Sequence, residues 1–252
     1  MSDCYVLDYI YFCKCNLILK NMKTEKIIGL LLIIGTLLLF VPYTILTILF
    51  DYPHILREDA GVILTKFYNG GTTLIIVWWL FAIVGLPILE AYILIGQKLE
   101  SKFYYVRWAT TLAIISGIVQ IIGLLRWTFV VPILAKTYVT SQNESVRETC
   151  KIIFQAVHQY GGVVLGEHIG QLFTIAWVMM ISSVFHKLNL MPKWIIWLGY
   201  ISSFIFLLAQ AELFATVISG FPVWSLAGLI GSTLWLIWMI IIGIKFLKIE
   251  IK

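Results

Sequence analysis

The sequence predicts an all-α protein: a polytopic transmembrane bundle of six helices, with a short amphipathic interfacial helix between the first and second spans. Three observations carry that prediction. Of the 252 residues, 61% are hydrophobic and only 12% are charged, about half the charged share of a soluble domain. Mean hydropathy is +0.96. Six apolar stretches each exceed the ~20 residues needed to cross a bilayer. Too few charges remain to cover a water-facing surface, so lipid is the solvent for most of the chain. The net charge of +5 sits in short loops beside apolar runs, where it orients a membrane protein and does not point to nucleic acid.

Residues 1–21 stand apart. They hold Cys4, Cys13 and Cys15 and no periodic pattern. Met22-Lys23-Thr24-Glu25-Lys26 runs straight into an apolar stretch and reads as a natural beginning, so 1–21 is expected to be an N-terminal extension, non-native or disordered. A lipidation or metal site at Cys13 and Cys15 is the alternative, and two cysteines without partner ligands make a weak metal motif. Residues 22–252 form one six-helix membrane domain. Cys150 lies alone in an outer loop, and no disulfide framework is implied.

The spans are expected at 27–50, 73–97, 106–135, 152–185, 194–218 and 223–246, with tilt and kinks at Pro42, Pro87 and Pro132. Twelve lysines and arginines fall on one side: Lys14, Lys20, Lys23, Lys26, Lys98, Lys102, Arg107, Lys187, Lys193, Lys245, Lys248 and Lys252. Five fall on the other: Arg57, Lys66, Lys136, Arg147 and Lys151. The excess predicts that both termini are cytoplasmic. Trp108, Trp194 and Trp224 near span ends fit interfacial anchoring. Between the first two spans, Val62, Ile63, Phe67 and Tyr68 recur at near-helical spacing, and Gly70-Gly71 closes the segment. This predicts an amphipathic helix on the outer membrane surface, capping the mouth of the bundle.

Ionisable residues inside spans are costly and mark function. Here they are Glu90, Arg126, Glu167, His168 and Glu212, with Gln120, Gln171 and Gln210 adding uncharged polarity. At about 1.5 Å per residue, Arg126, Glu167 and Glu212 fall at a common depth near the outer end, while Glu90 lies near the inner end. An arginine between two carboxylates is chemically sensible: the guanidinium offers five donors, and each carboxylate needs donors to stay ionised away from water. Gly162, Gly166 and Gly170 recur every four residues and predict a face where a neighbouring helix comes close.

The expected site is an outward-facing polar pocket for a small-molecule or lipid-like ligand. Glu167 and His168 are its candidate catalytic residues. Arg126, Glu212, His158, Gln171, Asp51, His54 and Arg57 are its ligand-binding candidates, with segment 51–71 as lid. Three other readings stay open. The carboxylates could couple protons or ions in a transporter or channel subunit. The cluster could only staple helices in a structural or sensory protein. Or His168, Glu167, Glu212 and His158 or His54 could form a metal-site membrane enzyme, although H-E-x-x-H spacing is absent and Arg126 would repel a cation. There is no G-x-S-x-G elbow, P-loop or dinucleotide turn, no arginine-patterned voltage sensor and no potassium-type filter. No cofactor is identified. Beyond the lipid bilayer, an oligomer or membrane partner stays open.

Three strings carry a resemblance. They are Phe50-Asp51-Tyr52-Pro53-His54-Ile55-Leu56-Arg57-Glu58 with Ala60-Gly61 and Gly70-Gly71; Leu125-Arg126-Trp127 with Val131-Pro132; and His158-Gln159-Tyr160-Gly161-Gly162-Val163-Val164-Leu165-Gly166-Glu167-His168-Ile169-Gly170. Together they resemble an uncharacterised family of small bacterial multi-span membrane proteins, labelled only as a domain of unknown function. The resemblance covers roughly residues 22–250. It implies a multi-span fold in the cytoplasmic (plasma) membrane of a prokaryote, and no activity.

Overall fold

The computed structural model describes residues 23–250; the expected extension 1–21 and its three cysteines lie outside them. Every regular element among the described residues is helical. Helix α1 spans Thr24–Phe50, and a single 3-10 turn follows at His54–Arg57. Then come α2 (Ala60–Ile83), α3 (Leu86–Leu99), α4 (Val106–Phe129), α5 (Val131–Thr140) and α6 (Glu144–Val157). A π-helix occupies His158–Ile169 and runs into α7 (Gly170–Lys187). The chain ends with α8 (Lys193–Leu208), α9 (Gln210–Ala215) and α10 (Ala227–Phe246). Joined end to end, these make six apolar segments long enough to cross a bilayer: 24–50, 60–99, 106–140, 144–187, 193–215 and 227–246.

Close approaches fix their antiparallel order. Gly29 on α1 meets Gly243 on α10, where a Cβ would lie 2.7 Å from the Gly243 carbonyl oxygen. Gly35 meets Ile88 of α3, and Gly231 of α10 meets the backbone of Phe206 in α8. Small residues let helices pack closely where lipid offers no hydrophobic drive for association. Residues 24 and 246 therefore share one end of the bundle. There Lys98 Nζ donates to Glu25 Oε1 at 2.9 Å, and Lys23 Nζ to Glu250 Oε1 at 2.5 Å.

The breaks in the spans fall where sequence physics allows them. Pro87 and Pro132 sit in the first turns of α3 and α5, where a missing N–H costs nothing; they start new helices rather than kink old ones. Pro42 lies inside an uninterrupted α1. The interfacial helix is present as residues 60–70 of α2 and joins the second span through Gly71, at φ 56°, ψ −150°. Its apolar face is turned to protein: Ile63, Leu64 and Phe67 are buried, packed towards α4 and α5, while Val62 and Tyr68 are exposed. Asp59 caps its start, accepting from Gly61 N–H at 2.8 Å.

Two cores stack along the bundle. At the end bearing residues 24 and 246, Ile28, Leu32, Tyr92, Ala113, Trp177, Ile181 and Trp238 are sealed from solvent. At the opposite end an aromatic cluster forms around Phe50, which lies edge-on to Phe67, Trp78 and Trp127 at 5.5–6.1 Å. Outward faces are apolar, with Ile48, Phe129, Ile133, Phe204 and Val217 exposed, as a lipid-facing surface requires.

Truncating Phe50 should open a cavity in the second core that its rigid aromatic neighbours cannot fill. Phe50→Ala is expected to cost about 3 kcal/mol, the low end for a large aromatic truncation, because lipid already solvates the side chain in the unfolded state. Chemical unfolding in detergent micelles measures this.

Candidate functional site

The site is built where α4 meets the π-helix. Three positions three residues apart on α4 face three glycines four residues apart. A Cβ on Gly162 would lie 2.5 Å from Arg126 Nη2, one on Gly123 would lie 3.0 Å from the Gly166 Cα, and one on Gly170 would lie 2.6 Å from Gln120 Cγ. Ridges in three-residue steps thus interleave with grooves in four-residue steps. The four-residue glycine spacing expected to mark a close approach does so, but on a π-helix. Its i→i−5 bonds, such as Gly170 N–H to Leu165 carbonyl, widen the turn, a geometry common at functional sites.

Above this contact lies a cavity of about 160 Å³, lined by Tyr52, Trp78, Phe81, Gln120, Arg126, Trp127, Glu167 and Gln171 among others. Arg126 is only 8% exposed. One guanidinium nitrogen, Nη1, donates to the Gly123 carbonyl; Nη2 lies 3.5 Å from His158 Nδ1; Nε is buried without a partner. The Trp127 ring centre is 5.2 Å from the guanidinium carbon. Glu167 lines the same cavity and takes no hydrogen bond or ion pair among the described residues. A basic and an acidic side chain therefore line one space without pairing.

Amides form the floor. Gln120 Nε2 donates to Ser116 Oγ at 2.9 Å, and Ser116 in turn donates to the Gly170 carbonyl at 2.6 Å. Gln210 Nε2 donates to Gln171 Oε1 at 2.7 Å, and Gln210 Oε1 lies 2.8 Å from His168 Nδ1. Below the floor the bundle is filled by Ala113, Trp177, Ile181 and Trp238. The roof comes from the segment after α1: Tyr52 packs edge-on against Trp78 at 5.4 Å, and Leu56, four residues on, lines the same wall.

Arg126, Glu167 and Gln171 meet at the cavity. Glu212 does not: it accepts from Arg57 at the bundle surface, tying the roof segment to α9. The expected arginine between two carboxylates is thus one carboxylate short: Glu212 is engaged by Arg57. His168 turns from the cavity to Gln210 and Phe214. His158 stands behind Arg126, stacked on Phe154. Asp51 and His54 are exposed, and Asp51 closes α1 in a left-handed conformation. Among the described residues, no three His, Cys, Asp or Glu side chains are grouped as metal ligands. Of the residues in the metal-site alternative, Glu212 is held by Arg57, His168 by Gln210, and His158 lies against Arg126. Glu90 is exposed on α3, outside the bundle interior. Sequence reasoning missed the aromatic wall of Trp78, Phe81 and Tyr52. The four-residue spacing of Tyr52 and Leu56 was the available signal.

Two predictions follow from this geometry. A Cβ on Gly123 would also lie 2.6 Å from the Gly161 backbone oxygen, which cannot swing aside. Gly123→Ala should destabilise by about 1–3 kcal/mol through overpacking. Gly161→Ala meets only Arg126 Cδ, at 3.4 Å, and should be close to neutral, since alanine is the better helix former; paired unfolding curves compare them. The second concerns Tyr52, whose phenol burial holds above its ordinary value of 10, with the Glu167 charge adding to the effect. A raised folded pKa gives stability that is complete below the unfolded value and is lost as pH rises beyond it. Tyr52→Phe should therefore keep more of its thermal stability than the unsubstituted protein when pH is taken above 10, and should match it at pH 7.

Among curated proteins and among solved structures, none matches the chain. A family model described as a domain of unknown function, DUF4386, matches residues 27–243, from the first turn of α1 to the last turns of α10. The match covers all six spans and every residue of the cavity, so the chain belongs to the DUF4386 family of multi-span membrane proteins.

Proposed function

We propose that this protein binds a small or lipid-like ligand with an anionic group in the intramembrane cavity, with Arg126 as the anion partner and segment 51–57 as the roof. One observation carries the reading: Arg126 and Glu167 line one cavity and do not pair. A helix staple made of charges would place them in contact, since an unpaired charge in the bundle is costly. The cavity is smaller than the ~300–1,000 Å³ typical for drug-sized ligands, which favours a compact molecule or a headgroup.

In this reading the cavity end faces outward and both termini are cytoplasmic, in the plasma membrane of a prokaryote; the twelve-to-five distribution of basic residues supports that orientation. A transport path towards Glu90 gains no support, since Glu90 is exposed on α3 and the layer beneath the amide floor is apolar. Glu167 is the group available for proton exchange with a ligand. His168 acts on the cavity only through Gln210 and Gln171.

The test uses Gln171→Cys in a chain whose four native cysteines are replaced by alanine. A small membrane-impermeant methanethiosulfonate added to intact cells should label it, and inorganic phosphate or acetate should slow the labelling. Adding Arg126→Gln should remove that protection. A cysteine that reacts only after the membrane is opened would reverse the orientation. One that never reacts in the folded protein would sink the pocket.

A further inference from the structure

The polar groups around the cavity are sorted by sign. Four of them have capacity left after their internal bonds are counted. Arg126 retains its buried Nε–H, unpartnered, beside Nη atoms already engaged with Gly123 and His158. Glu167 retains both carboxylate oxygens, acceptors only when ionised. Gln120 has its amide nitrogen committed to Ser116 and Thr174, which leaves its carbonyl oxygen as an acceptor. Gln171 is the reverse: its carbonyl oxygen is taken by Gln210, which leaves its NH₂ as a donor. Tyr52 lines the same cavity.

An anion alone would satisfy Arg126 and set its charge against Glu167. A cation alone would satisfy Glu167 and set its charge against Arg126. Either would leave a net charge in a site walled by Trp78, Trp127 and Phe81, where bringing an uncompensated charge out of water is expensive. A compact molecule bearing both signs meets both stations and enters with no net charge.

Resting on the pocket reading above, we infer that the ligand is a zwitterion: an anionic phosphate or carboxylate held by Arg126 and an ammonium group, a few bonds away, held by Glu167 and the Gln120 carbonyl. The same chemistry exists in a free amino compound and in an aminophospholipid headgroup. The cavity size fits either, and the experiment separates them.

The protein is placed in nanodiscs of phosphatidylglycerol, which carries no amine, and binding is read from tryptophan fluorescence. The probes are glycerophosphoethanolamine, β-alanine, dihexanoyl phosphatidylethanolamine, inorganic phosphate and ethanolamine. At least one zwitterion should bind roughly tenfold or more tighter than either phosphate or ethanolamine, the loss expected when a charge-assisted contact is missing. Glu167→Gln, which keeps the shape, should erase that preference by weakening the zwitterions, and should leave phosphate binding at least as tight. A response to the lipid alone assigns the headgroup; a response to the soluble zwitterions assigns a free ligand. If phosphate binds as tightly as every zwitterion, or Glu167→Gln changes nothing, the zwitterion inference is overturned and the anion pocket survives. If no probe binds while the Gln171 thiol is still reached from outside, this inference is overturned and the pocket remains as an open cavity. If neither binding nor labelling occurs, both fall together.

Discussion

Everything at the cavity depends on how closely α4 approaches the π-helix. Gly123 faces the backbone of Gly161 and Gly166 with no side chain between them. That approach holds Gly162 beneath the Arg126 guanidinium and fixes Glu167 on the far wall. A methyl group at the crossing would part the two backbones and, with them, the two charges' shared space. Lipid gives helices little reason to associate through apolar area, so backbone proximity and buried hydrogen bonds have to supply it. The Ser116 bond to the Gly170 carbonyl does so one turn below.

The π-helix resolves a spatial conflict. An α-turn carries four-residue repeats slowly around its axis, whereas the wider turn keeps Gly162, Gly166 and Gly170 against one neighbour while Glu167 and His168 diverge. One of those adjacent residues faces the cavity, and the other faces Gln210. The result is a carboxylate with acceptor capacity to spare, next to a histidine whose hydrogen bond is already engaged.

Much of this was legible in the chain. Apolar length and the scarcity of charge determine six spans, because lipid tolerates few alternatives. The glycine spacing announced the contact, and counting residues placed Arg126 and Glu167 at one depth. Glu212 went elsewhere for a definite reason: its partner Arg57 lies in the turn after α1, 155 residues away, and counting depth along one span cannot see it. The roof failed differently. Asp51, His54 and Arg57 drew attention as polar residues, yet a segment closing an aromatic pocket turns its apolar side inward, so Tyr52 and Leu56 line it. Trp78 and Phe81 were invisible as site residues because aromatics on a span look the same whether they face lipid or a cavity.

The two stacked cores have a mechanical meaning. The layer nearest residues 24 and 246 is packed from unbroken stretches of α1, α3, α4, α7, α8 and α10. Nearly every interruption lies higher: Gly71, the α4–α5 junction, the π-helix, the α8–α9 break and the 3-10 turn. The bundle is thus a stiff plinth carrying a jointed crown. The joints are thus gathered in the crown and the register in the plinth, and the surface link between Arg57 and Glu212 ties the roof to the fifth span.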